Sequence, residues 1–159
     1  AKARDNAKKR GFHNVEFREG DIENLPVESS SIDVVISNCV LNLLPAKDKI
    51  FHEIYRVLKP GGHFCISDIV LKGELPRELS KAVEMYVGCV AGAIPQEDYM
   101  AEISKAKFQE IEVASRKKVN IPDEILLEYM DQDSLTAFKS GASGIFSITV
   151  KAKKQQMCE

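Results

Sequence analysis

Three short runs in this sequence combine residue types that can do chemistry. Gly20-Asp21-Ile22-Glu23 follows the alternating segment Val15-Glu16-Phe17-Arg18. An acid just past a strand of an α/β sheet can accept hydrogen bonds from the amino or hydroxyl groups of a nucleoside. The same acid can equally cap a solvated turn. Ser37-Asn38-Cys39 ends the β-branched run Ile32-Asp33-Val34-Val35-Ile36, so its thiol either faces a ligand crevice or fills the core as a small hydrophobe. Gly88-Cys89-Val90-Ala91-Gly92-Ala93 places glycines on both sides of a cysteine in a helical stretch. Each glycine costs a helix about 1 kcal/mol against alanine. Close backbone approach to a ligand would explain that cost, and so would tight helix packing.

The remaining reactive side chains read as structural. Cys65 lies inside an apolar strand between Phe64 and Ile66, and Cys158 is in the polar tail. His13, His52 and His63 have no acid or cysteine at metal-ligand spacing. No nucleophile elbow, HExxH, P-loop or EF-hand pattern occurs. The four cysteines show no CxxC or secreted-scaffold spacing, which predicts reduced thiols and a cytoplasmic setting.

Elements that could position these runs follow from periodicity. Ala1 to Arg10 predicts a helix stopped by Gly11, and Val15 to Arg18 a short strand. Ile32 to Ser37 predicts a strand buried on both faces. Lys47 to Leu58 predicts an amphipathic helix, with Ile50, Phe51, Ile54, Val57 and Leu58 on one face and Lys59-Pro60-Gly61-Gly62 as its stop. His63 to Val70 predicts a second buried strand. Helices are expected over Pro76 to Val90 and Pro95 to Ala106, then a strand over Phe108 to Val119. A short helix over Pro122 to Met130 and a closing strand over Gly144 to Ala152 complete the order. Strands alternating with helices predict an α/β sheet, mostly parallel, with one antiparallel strand near the C-terminus.

Composition narrows the partners. The 159 residues are 44% apolar and 29% charged, and 22 basic residues against 24 acidic ones leave a net charge of -2. That balance argues against a nucleic-acid or polybasic membrane binder. No apolar run approaches the roughly 18–20 residues of a membrane span, and the charged start carries no secretory pattern. The chain reads as one domain.

Two sets of residues carry a family resemblance. Gly20-Asp21 before Leu25-Pro26, the Asp33 to Ile36 strand and Arg56-Val57-Leu58-Lys59-Pro60-Gly61-Gly62 resemble the Rossmann-like S-adenosylmethionine-dependent methyltransferases. Ser37-Asn38-Cys39-Val40-Leu41-Asn42-Leu43 and Tyr86-Val87-Gly88-Cys89-Val90-Ala91-Gly92-Ala93 are similar to the motif pair of arsenite methyltransferases. The resemblance implies methyl transfer from S-adenosylmethionine to trivalent arsenic, hence arsenic detoxification. Arsenic(III) is soft and thiophilic, so Cys39 and Cys89 would be its ligands. Asp21, Ile22 and Glu23 would meet the cofactor's adenine, and Asn38 would lie near its methionine end. No metal cofactor is expected. Arsenite or its thiol conjugates, and a thiol reductant of glutathione or thioredoxin type, would be the partners. Residues 1–72 would belong to the cofactor-binding region and 73–159 to the arsenic-binding part. The family's DxGxGxG loop is absent from the sequence, which predicts a C-terminal fragment whose sheet lacks its N-terminal strands. Exposed strand edges would then favour self-association. Two alternatives stay open: a methyltransferase for a small organic acceptor with structural cysteines, and a non-catalytic thiol module for arsenic or a soft metal.

Overall fold

The computed structural model describes residues 2–73, 92–140 and 143–156. The expected helix over 76–90, with Cys89, lies outside the described residues. Helix α1 (Lys2–Lys9) is followed by strand β1 (Ile32–Asn38), a 3-10 turn (Leu41–Leu43) and helix α2 (Lys47–Val57). Strand β2 (Leu58–Lys72), helix α3 (Gln96–Lys105) and strand β3 (Gln109–Lys118) come next. Helices α4 (Asp123–Leu127) and α5 (Gln132–Ser140) precede strand β4 (Gly144–Lys153). The sheet has the order β1-β2-β4-β3. β1 runs parallel to β2, and β4 runs antiparallel to both β2 and β3. This is the Rossmann-like α/β architecture expected, with β4 as the one reversed strand.

Alternation along β2 divides the core between the two sheet faces. Phe64, Ile66 and Val70 join Ile50, Phe51 and Ile54 of α2 and Tyr99 and Ile103 of α3 on one face. Aromatic rings meet edge-on there: Phe51 with Tyr99 at 5.4 Å and Phe64 with Phe108 at 4.8 Å between centroids. Burying each such side chain stabilises the fold by about 1.5–3 kcal/mol relative to leaving it in water. On the other face Ile69 packs with Ile121, Leu126, Leu135 and Ile145.

Three local expectations need correction. Val15 to Arg18 is not a strand. It has the alternating pattern but no ladder partner, and it is held by side chains instead: Arg4 Nη2 donates to the Phe17 carbonyl at 2.7 Å, and Arg18 Nη1 to that of Pro26 at 2.8 Å. β1 is not buried on both faces, because among the described residues the face that carries Val34 and Ile36 is left uncovered; Ile36 is 79% exposed. β2 begins at Leu58 rather than His63, since the chain turns extended directly at the end of α2. Gly62 permits this: a Cβ there would lie 2.9 Å from the Asp33 carbonyl oxygen. The 3-10 turn and α5 were not foreseen.

Candidate active site

The carboxyl end of β1 lies beside the second half of β2, Asn38 being in register with Ser67. Cys39 follows at once with φ 54°, a left-handed backbone in which a Cβ is unfavourable. Its N–H donates to the Ser67 carbonyl at 2.8 Å. Half-buried, the Cys39 side chain packs against the Ile69 cluster, as does Ala93 of the second cysteine motif. Gly92 comes closer still to the first motif: a Cβ on it would sit 2.9 Å from the Asn42 carbonyl carbon and overlap the oxygen. Leu71 N–H donates to the Ile94 carbonyl at 3.0 Å and ties this segment to the end of β2. The two motifs therefore meet through Asn42, Gly92 and Ala93, while Cys89 itself lies outside the described residues.

The turn after Cys39 and the adjoining stretch of β2 carry a buried polar group. Asp68 is 1% exposed and Asn42 3%. Tyr99 Oη donates to Asp68 Oδ2 at 3.1 Å, and Asn42 Nδ2 to the Ile69 carbonyl at 2.6 Å. Lys47 Nζ donates to the carbonyls of Leu41 at 3.1 Å and Leu44 at 2.7 Å. Asp68 Oδ1, Asn42 Oδ1 and Ser37 Oγ are buried without a hydrogen-bond partner. Burial pushes the Asp68 carboxyl up to about 6, against the opposing pull of Tyr99, Lys47 and the Asn42 N–H. Burial likewise lowers the pKa of Lys47, with Asp68 countering it. Asn42, Leu44, Lys47, Gly92 and Ile94 line a cavity of about 450 Å³.

The acidic run forms a turn. Asp21 is exposed, and its Oδ1 accepts the Glu23 N–H at 3.0 Å. Ile22 packs on the α2 core cluster, and Glu23 pairs with Lys49 at 3.4 Å. The next residue but one, Leu25, donates its N–H to Glu53 Oε1 at 2.7 Å. So the turn is fastened along α2, the helix that begins just after the Cys39 segment. Asn38 is exposed at the end of β1.

The Methyltransferase domain family matches residues 1–116. The chain belongs to that family. Among curated relatives, this methyltransferase domain is 45% identical over 116 residues to an arsenite methyltransferase of Halobacterium salinarum, covering 73% of this chain and 30% of that protein. An arsenite methyltransferase of Aquipseudomonas alcaligenes is 36% identical over 125 residues, covering 77% and 36%. Among solved structures, an arsenic (III) S-adenosylmethionine methyltransferase from Chlamydomonas reinhardtii superposes with a TM-score of 0.72 at 30% identity, over 94% of this chain and 48% of that one. The chain thus spans about a third of the length of these curated relatives.

Of the residues that could hydrogen-bond a nucleoside cofactor, Asn38 is exposed where the parallel strand β1 ends, and Asp21 is exposed in a turn that follows no strand. Among the described residues no group of three His, Cys, Asp or Glu could hold a metal ion, and no helix is long and apolar enough to cross a membrane. Sequence reasoning missed Asn42, Lys47, Asp68 and Tyr99. A signal for two of them was present: Asn42 interrupts the apolar Val40-Leu41-Leu43-Leu44, and Asp68 interrupts Ile66-Ile69-Val70.

Proposed function

We propose that this methyltransferase domain serves methyl transfer from S-adenosylmethionine to trivalent arsenic held by the thiolates of Cys39 and Cys89, a reaction of arsenic detoxification. The observation that carries the reading is Cys39 itself: a thiol at the carboxyl end of a parallel strand, in a left-handed backbone, in a chain 45% identical over 116 residues to an arsenite methyltransferase. Cysteine in such a conformation costs about 1–3 kcal/mol, and costs of this kind cluster at functional sites. Thiolates from two motifs would hold arsenic with its lone pair unshared, so no general base is required. When bound, S-adenosylmethionine would supply an electrophilic sulfonium methyl group. Asp21, Ile22 and Glu23 would contact its adenine, and Asn38 would lie near its methionine end. Residues 1–72 would serve the cofactor and 73–159 the arsenic. A thiol reductant of glutathione or thioredoxin type would be a partner, in the cytoplasm.

Titration with arsenite, followed by thiolate–arsenic absorbance, tests the reading. Saturable binding that is lost in both Cys39→Ser and Cys89→Ser supports it. Unchanged binding in either variant, or none in the parent chain, would overturn it in favour of an organic methyl acceptor. The sequence holds no GxGxG loop, so cofactor affinity of this chain should be weaker than about micromolar; calorimetry measuring tighter binding would contradict that. We further propose self-association through β1, the outermost strand of the sheet, which also carries exposed Val34 and Ile36 on one face. Sedimentation equilibrium should show dimers or larger species, and a strictly monomeric chain would refute this part.

A further inference from the structure

The left-handed backbone of Cys39 needs something to hold it. Nothing in residue type does so, because a cysteine lacks both the freedom of glycine and the local hydrogen bonding of asparagine that make this conformation tolerable. One restraint is the bond from its N–H to the Ser67 carbonyl, 2.8 Å. The second lies three residues on. Asn42 sits at the centre of the 3-10 turn, 3% exposed, and its Nδ2 grips the Ile69 carbonyl at 2.6 Å. The second half of β2 therefore holds the Cys39 segment at two alternate carbonyls, 67 and 69, on either side of Asp68. Lys47 Nζ brackets the same turn by binding the carbonyls of Leu41 and Leu44, the residues flanking Asn42 and Leu43. The Asn42 carbonyl in turn receives Gly92, which only a residue without a side chain could do. A buried amide that leaves its Oδ1 without a partner is a costly choice for packing alone.

We infer that Asn42 is the positioning residue for Cys39: its clamp on the Ile69 carbonyl fixes the turn that keeps Cys39 in its left-handed conformation. What the thiol then does rests on the arsenic reading above; the clamp itself does not.

The test labels the full chain with iodoacetamide and maps the rate at Cys39 and at Cys65 by peptide mass spectrometry, well below the melting transition. In Asn42→Ala the turn loses its anchor, and Cys39, now half-buried against the Ile69 cluster, is released. The Cys39-to-Cys65 rate ratio should rise about tenfold, and arsenite affinity should fall about tenfold. An unchanged ratio would overturn the inference. Equal acceleration at both cysteines would also overturn it, because that reports general loosening. Should Asn42→Ala fail to fold, Lys47→Met carries the same measurement with an expected shift of about threefold, and an unchanged ratio there has the same consequence. A shifted ratio in a chain whose parent binds no arsenite would uphold the clamp and sink the arsenic reading alone.

Discussion

Helix α2 carries a polar knot near each end, and the two differ in how completely they are satisfied. Near its carboxyl end, Glu53 Oε1 accepts from Leu25 N–H and from Arg56 Nη2, both at 2.7 Å, while its Oε2 accepts from Arg56 Nε at 2.8 Å. Arg56 spends its other donors on the Val27 carbonyl at 2.8 Å and Ser29 Oγ at 3.0 Å. The Arg56 hydrogen bonds hold the Glu53 carboxyl below the usual range. At the amino end, Lys47, Asn42 and Asp68 leave two buried acceptors empty, and burial drives the Asp68 carboxyl the opposite way. The contrast separates two uses of buried polarity. A saturated knot staples a loop to a helix, and an unsaturated one lies where a reactive residue has to be aimed.

The largest expected effect breaks the saturated knot. Arg56→Ala would strand the Glu53 charge, and Arg56 is 35% exposed. The loss should therefore be measurable in urea denaturation yet smaller than for a fully buried pair; a loss within error would end the comparison. The same staple is present above the ordinary glutamate value of 4.5 and should weaken as the pH falls below it.

Asp68→Asn probes the other knot and should act with the opposite sign. Because the folded-state pKa is raised from 3.8 to about 6, stability is full below the lower value and is lost as pH rises through the higher one. The variant should flatten that loss and gain about 1–3 kcal/mol over the parent between pH 4 and pH 7.5. A gain independent of pH would mean the carboxyl is not the source.

A smaller effect is expected at the aimed residue. Cys39→Gly relieves the backbone at φ 54° and should raise stability by about 0.5–1 kcal/mol, the relief being partly offset by glycine's greater unfolded-state entropy. Arsenite binding should vanish in the same protein. A melting temperature below the parent's would show that the conformation is not strained. Smallest of all, Lys59→Ala removes the exposed pair with Asp33, at 2.8 Å and outside both knots. It should change stability by less than about 0.5 kcal/mol, and a larger change would show that polarity outside the knots matters as much.

The apolar spacing over Lys47 to Leu58, the β-branched runs and the proline and glycine stops determined the helices, the strands and the α/β class, because periodicity is a local property that burial of one face enforces. The same locality placed Cys39 at the end of a strand. What a strand meets is not local. The alternation at Val15 to Arg18 went unpaired, and the apolar run at Ile32 to Ser37 became an edge, because ladder partners are chosen by the whole sheet. The Asn42–Lys47–Asp68–Tyr99 group was likewise illegible in advance. Its members come from a turn, a helix, a strand and a second helix, separated by up to 57 positions in sequence, and only packing around the second half of β2 makes them neighbours. Residue types and periods could thus say which side chains were able to react. Which of them is held, by what, and at what cost in unsatisfied polarity was decided by tertiary contacts, since hydrogen-bond satisfaction and desolvation depend on every element that closes around a group.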